Sequence, residues 1–153
     1  MQKIIPNLWF DNQAEEAVDF YVSIFKEAEV KNVSRTTEGG IGELSKVITI
    51  AFVLNGQEFL ALNGGPHFTF TPAISMSISC ESQEEVDTYW DQLSEGGKPG
   101  QCGWLEDKYG LSWQVVPTAL GRLMQDSDPE KVQRVTKAML GMKKLDIEQL
   151  TQA

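Results

Sequence analysis

Residues 15–21 read Glu15-Glu16-Ala17-Val18-Asp19-Phe20-Tyr21, and residues 84–90 read Glu84-Glu85-Val86-Asp87-Thr88-Tyr89-Trp90, two versions of one phrase 69 positions apart (84 − 15 = 69). Each opens on paired glutamates and carries an aromatic doublet one turn later. Acidic residues sit well in the first turn of a helix, where the exposed N–H groups and the helix dipole favour negative charge. The phrase therefore marks the start of a helix in each half of the chain.

Working outward, Ala14, Ala17, Val18, Tyr21 and Phe25 recur at helical spacing and form one apolar stripe, widened by Phe20 and Ile24. Asn12 and Glu15 have the spacing of a capping box. A short strand, Ile4 to Phe10, precedes this helix. Strands are expected after it at about 29–37, 46–54 and 57–63, and Asn55-Gly56 joins the last two as a tight hairpin. The second half repeats the order. Ala73 to Cys80 alternates Ile74, Met76 and Ile78 with Ser75, Ser77 and Ser79. Ser82 and Glu85 form a second capping box, and Val86, Tyr89, Trp90 and Leu93 make the stripe. Gly96-Gly97 stops the helix. Strands follow at about 101–106 and 111–116, turning at Lys108-Tyr109-Gly110.

The fold class is α+β, with two strand–helix–strands (βαβββ-type) modules forming a curved mixed sheet and sharing one core. Residues 1–117 hold the duplicated domain, with modules at about 1–68 and 69–117. Beyond Pro117 the pattern turns helical. Asp128-Pro129 opens a helix striped by Val132, Val135 and Met139, Gly141 ends it, and a last segment, Leu145 to Leu150, starts near Asp146. Residues 118–153 are thus a helical appendage of the same domain.

The 153 residues, 41% hydrophobic and 23% charged, suit a globular protein. The net charge of −9 argues against nucleic acid as a partner, since phosphate neutralisation needs a basic surface. Residues 1–117 hold seven Lys/Arg against 17 Asp/Glu (7 − 17 = −10), and 118–153 hold six against five (6 − 5 = +1). That asymmetry fits a tail packed on the body or on a second subunit, and equally a solvated helix of mixed charge. No apolar run has the length of a membrane span and no signal peptide is visible, so a cytoplasmic protein with no membrane partner is expected. Cys80 and Cys102 are too few for a disulfide framework.

The order of elements resembles the vicinal oxygen chelate superfamily, the glyoxalase and bleomycin-resistance proteins. Several stretches resemble its PhnB-like branch, which carries the label 3-demethylubiquinone 3-methyltransferase. They are Leu8-Trp9-Phe10-Asp11 with Ala14-Glu15-Glu16-Ala17, Asn63-Gly64-Gly65-Pro66, Gln101-Cys102-Gly103-Trp104-Leu105, Tyr109-Gly110-Leu111-Ser112-Trp113-Gln114 and Ala138-Met139-Leu140-Gly141-Met142-Lys143-Lys144-Leu145-Asp146. The resemblance implies a concave pocket enclosed by the two modules and a homodimer. It also implies that metal-binding relatives place His or Glu on equivalent strands. Here those positions offer Ile5 to Asn7, Ala61 to Asn63, Ala73 and Gln114. Neutral amides are weak ligands for zinc or nickel and good hydrogen-bond partners.

No cofactor is therefore expected, a divalent metal is disfavoured, and no catalytic residue is assigned. The expected role is binding an unidentified small molecule. The alternative is a metal-dependent lyase, isomerase or dioxygenase of the vicinal oxygen chelate type. Candidate pocket residues are Asn7, Trp9, Asn63, His67, Phe68, Ser75, Cys102, Trp104, Trp113 and Gln114. His67, the sole histidine, reads as a proton carrier on a loop or, preferred for want of a partner, as a surface-turn residue. Cys102 reads as a nucleophile or, preferred, as a small residue packed at a narrow strand position. Trp9, Trp104 and Trp113 line a pocket or fill the core. Gly39, Gly40 and Gly42 do not make a GxGxxG loop, and a methyltransferase of the parallel-sheet type needs one.

Overall fold

Paired glutamates and apolar stripes do set the two long helices of the body. The computed structural model describes residues 2–36 and 46–153, which divide into two units, Met1–Thr69 and Phe70–Ala153. Gly39, Gly40 and Gly42 lie outside the described residues.

In the first unit, strand β1 (Asn7–Phe10) leads to helix α1 (Ala14–Ile24), then β2 (Ala28–Arg35), β3 (Val47–Leu54) and β4 (Gln57–Asn63). The sheet order is β1-β4-β3-β2; β1 runs parallel to β4 and the other pairs are antiparallel. Leu54 pairs with Gln57 across a two-residue turn in which Asn55 (φ 46°) and Gly56 (φ 82°) are both left-handed. That matches the right-handed twist of the flanking strands. Helix α1 buries Ala14, Ala17, Val18 and Tyr21 and packs on β3 and β4, whose Ile50, Phe52, Phe59 and Ala61 are buried. Phe52 stacks between Tyr21 and Phe59, with centroids 6.5 and 5.3 Å away. Burying each large side chain contributes about 1.5–3 kcal/mol.

The second unit repeats the topology. Strand β5 (Ser75–Cys80), helix α2 (Gln83–Ser94), and strands β6 (Lys98–Pro99), β7 (Trp104–Glu106) and β8 (Ser112–Pro117) make a sheet ordered β5-β8-β7-β6, with β5 parallel to β8. At the offset of 69, α1 maps onto residues 83–93 (14 + 69 and 24 + 69), and α2 occupies Gln83–Ser94. All four residues of its stripe, Val86, Tyr89, Trp90 and Leu93, are buried. The Ser82 hydroxyl accepts from the Glu85 N–H at 3.2 Å, and the Glu85 carboxylate accepts from the Glu81 N–H at 2.6 Å.

Helices α3 (Thr118–Met124), α4 (Pro129–Leu140) and α5 (Ile147–Gln152) close the second unit around Leu120, Val135, Leu145 and Leu150. Asp128 and Asp146 cap α4 and α5. The tail packs on the body: Gln83 donates to the Leu145 carbonyl and accepts from the Ile147 N–H, and Lys144 sits 3.1 Å from Asp87.

Three local expectations are corrected. The first strand begins at Asn7 rather than Ile4; Pro6 has no N–H to donate, and Ile4 is 87% exposed. Asn12 does not cap α1. Gln13 is the cap residue without a side-chain bond, and the Ala14 N–H is met at 2.9 Å by Asn63 Oδ1 from β4. Cys102 is not in a strand. It is left-handed (φ 57°), as is Gly103 (φ 83°), and their N–H groups donate to Met142 and Lys143 carbonyls, drawing the backbone out of sheet geometry ahead of β7.

Candidate functional site

Each sheet has one face under its helix and one open face. On β1, Leu8 and Phe10 point to the helix and are buried, so Asn7 and Trp9 alternate to the open side. The same period puts Ala51 and Val53 of β3 and Glu58 and Leu60 of β4 there, and with Asn7 and Lys31 they line a cleft of about 310 Å³. In the second unit, Trp113 and Val115 face the helix, while Ser112 and Gln114 alternate to the open side. Strand register then assembles two cross-strand rows. Lys98, Glu106, Ser112 and Ser75 form one, and Trp104, Gln114 and Ser77 form the other. Lys98, Trp104, Glu106, Ser112 and Pro72 line a second cleft of about 250 Å³.

The open faces differ in chemistry. The first is mainly aliphatic, with Asn7, Lys31 and Glu58 at its margins. The second presents hydroxyls, an amide, a carboxylate and an indole.

The expected pocket residues separate into groups. In the first unit, Trp9 donates from Nε1 to the Gly65 carbonyl at 3.0 Å and meets Phe68 edge to face at 4.9 Å. Gly64 makes this possible, because a Cβ there would occupy the space of the indole. His67 and Phe68 are exposed on the same loop, and Phe68 is the one that meets Trp9. Asn7 donates to the Ile5 carbonyl at 2.9 Å. Asn63 is fully engaged: Oδ1 accepts from Ala14, and Nδ2 donates to the Val47 carbonyl at 3.2 Å. In the second unit, Gln114 Nε2 donates to Ser75 Oγ at 2.9 Å and ties the two rows together. Trp104 is half-buried at the cleft. Trp113 is 3% exposed, and its indole N–H donates to Asp107 Oδ2 at 2.9 Å. Cys102 is half-buried in its turn, away from the rows. Burial, and then the Glu85 charge, push the Cys80 thiol up to about 12, so it stays protonated at neutral pH.

Two residues of this region escaped the sequence reading. Asp107, 3% exposed, accepts from the Tyr109 and Leu111 N–H groups as well as from Trp113, and so shapes the β7–β8 turn. The signal was an Asp two residues before the Tyr109-Gly110 turn, where its carboxylate can accept from the backbone just ahead. Ser112, 1% exposed, has a buried hydroxyl with no hydrogen-bond partner among the described residues. No sequence pattern marks such an atom.

The donor set does not fit the divalent metal of the superfamily's chelators. Asn63 has spent both amide groups within the fold, Asn7 and Gln114 each donate to the protein, and amide oxygens bind zinc or nickel weakly. Among the described residues no group of three or more His, Cys, Asp or Glu gathers where an ion could sit.

Comparison with known proteins follows the topology. A PhnB protein from Bacillus cereus, described as a 3-demethylubiquinone-9 3-methyltransferase, is 42% identical, with a TM-score of 0.67 over 76% of this chain and 99% of that one. A Pseudomonas aeruginosa protein is 18% identical, with a TM-score of 0.65 over 76% and 98%. The fosfomycin resistance protein FosX of Listeria monocytogenes, solved with Mn(II) and sulfate, is 16% identical, with a TM-score of 0.54 over 75% and 92%. Among curated proteins none matches. The profile of the 3-demethylubiquinone-9 3-methyltransferase family matches residues 2–116, and the chain belongs to this PhnB-like family.

Proposed function

We propose that the protein binds a small organic molecule on the open faces of its sheets, through aromatic rings and neutral polar groups and without a catalytic metal. The observation that carries this reading is the engagement of Asn7, Asn63 and Gln114. Where metal-binding relatives are expected to present imidazoles and carboxylates, this chain presents amides already hydrogen-bonded to itself. Asn7 lines a cleft of about 310 Å³, and Trp104, the register partner of Gln114, lines one of about 250 Å³. Concave, partly apolar clefts with a few fixed polar groups are the usual form of a small-molecule site.

The family label names a methyltransferase. An enzyme of the doubly wound type needs a parallel sheet and a glycine-rich loop at a helix N-terminus, whereas each described sheet has one parallel pair. The alternative reading, a metal-dependent lyase, isomerase or dioxygenase, draws on FosX with its Mn(II), a neighbour at 16% identity that shares the fold. A homodimer in the cytoplasm completes the proposal.

Elemental analysis of the purified protein, followed by a thermal-shift screen of metabolites with chelator present, tests the reading. Metabolites that raise the melting temperature in chelator are expected, since a ligand selective for the folded state stabilises it by mass action. Stoichiometric nickel, zinc, iron or manganese, or a response to ligands only with metal, overturns it.

A further inference from the structure

The larger of the two sheet clefts, about 310 Å³, lies over β3 and β4 on the open face of the first sheet. Register sets its floor. Leu60 pairs with Ala51 and Glu58 with Val53, and directly opposed residues share a face, so these four side chains stand together while Phe52 and Phe59 are buried on the other side. Ile5 extends the apolar lining. Such a floor takes hydrocarbon without orienting it. Orientation must come from the charged groups at the margin.

Lys31 and Glu58 both line the cleft, and they are not equivalent. Lys31 stands where the β2–β3 register shifts, between Val30 and Asn32, and its ammonium is 2.8 Å from the Glu29 carboxylate. Its charge is matched locally. Glu58 is half-buried and accepts from the Gln2 N–H at 3.3 Å, and among the described residues no cation lies within ion-pairing distance of it. A carboxylate beside hydrocarbon gives up part of its hydration, and a charged donor is the group that best replaces it. The field of the chain acts in the same sense, since residues 1–117 carry a net −10 (7 − 17).

We propose that this cleft binds a small amphiphilic amine. Its protonated nitrogen donates to Glu58, and its arylalkyl or alkyl body lies over Ala51, Val53 and Leu60. The inference rests on the small-molecule reading above and names a ligand class for one of its clefts. An acid of the same shape would meet Glu58 with like charge and would have to displace Glu29 from Lys31. The volume of about 310 Å³ is at the low end for small-molecule sites, which suits one ring on a short chain.

The test uses the full chain with 2-phenylethylamine as probe and 3-phenylpropanoate, 2-phenylethanol and methylammonium as controls, read by ligand-observed NMR and thermal shift. The amine is expected to bind, with each control at least about tenfold weaker, the scale of one hydrogen bond to a charged group or of the buried hydrocarbon. In methyl-labelled protein the Ala51, Val53 and Leu60 signals should move on binding, and those of Leu145 and Leu150 should not. Glu58→Gln keeps the shape and the acceptor for Gln2, so it is expected to melt within about 2 °C of wild type, yet to bind the amine about tenfold more weakly. Lys31→Met keeps the hydrocarbon stem and is expected to bind the amine at least as tightly as wild type. The inference is overturned if the amine does not bind, if any control binds as well, if the methyl shifts fall on Leu145 and Leu150 instead, if Glu58→Gln leaves affinity unchanged, or if Lys31→Met weakens it about tenfold. If metabolites from the chelator screen bind while the amine does not, the general reading stands and this one falls.

Discussion

Asp107 offers the sharpest test of how the second open face is held. Asp107 is 3% exposed, and its carboxylate accepts from Tyr109 N–H at 2.9 Å, Leu111 N–H at 3.1 Å and Trp113 Nε1–H at 2.9 Å. Truncation to alanine strands these donors. Each buried unpaired donor costs about 1–3 kcal/mol, and with partial relaxation Asp107→Ala should lose about 3–5 kcal/mol. Asp107→Asn is more informative. Its Oδ1 still accepts from the turn, but its NH2 now faces the Trp113 N–H, donor against donor, at a cost of about 1–3 kcal/mol. Trp113→Phe removes that donor, so Asp107→Asn/Trp113→Phe should be more stable than the sum of the two single losses by about 1 kcal/mol or more. Residues in one hydrogen-bond network couple in this way. Urea unfolding followed by far-UV circular dichroism measures all four proteins without depending on the substituted indole. Strict additivity, or a loss below about 1 kcal/mol for Asp107→Ala, would refute the assignment of Asp107 as the organiser of the turn.

Further outcomes follow from single contacts. Asn63→Ala should lose about 1–2 kcal/mol in urea unfolding, since it uncaps α1 and frees the Val47 carbonyl, and Gln13→Ser should restore part of it by capping locally. The Asp87 carboxyl is held below its usual 3.8 by its bond to Gln83 and then by Lys144. A lowered folded value means that the native state takes up protons less readily, so this contribution is complete above pH about 3.8 and is lost as pH falls through the lower folded value. Asp87→Asn should therefore flatten the dependence of stability on pH below that value, as read from melting temperatures across acid buffers. Native protein should titrate a single thiol with a chromogenic disulfide, the half-buried Cys102. Cys80, buried and pushed up to about 12, should appear only on denaturation.

Much of the fold was legible because its signals are local. Paired glutamates at a helix start, apolar residues three and four apart, and Asn55-Gly56 between alternating runs each act within a few residues, and the structure follows them. The misses come from long-range partners overriding local signals. Asn12 and Glu15 have capping-box spacing, but Asn63, 49 residues from Ala14, supplies the acceptor instead. Gln101 to Gly103 look extendable until the Met142 and Lys143 carbonyls bend them. In the candidate site, Trp9, Phe68, Ser75, Trp104 and Gln114 could be nominated from alternation and composition. The role of Trp113 as a donor to Asp107 could not, because an indole on a strand suits either face until its hydrogen bond is known.

The two modules share a topology but secure it differently, and the difference has a cause. Gln13 and Ser82 are equivalent cap positions (13 + 69 = 82), yet only Ser82 bonds its helix. In the first unit the cap comes from Asn63, the last residue of β4, opposite Phe10 of β1. In the second unit the position equivalent to Phe10 is Ser79 (10 + 69 = 79), opposite Val116 of β8, one residue before the end of the strand at Pro117 and the start of α3. The Val116 side chain is a hydrocarbon with no oxygen to accept from an N–H, so it cannot cap α2 as Asn63 caps α1. Ser82 and Glu85 therefore cap in place. Asn63 thus holds the start of α1 from 49 residues away, where the second module uses a residue next to its helix.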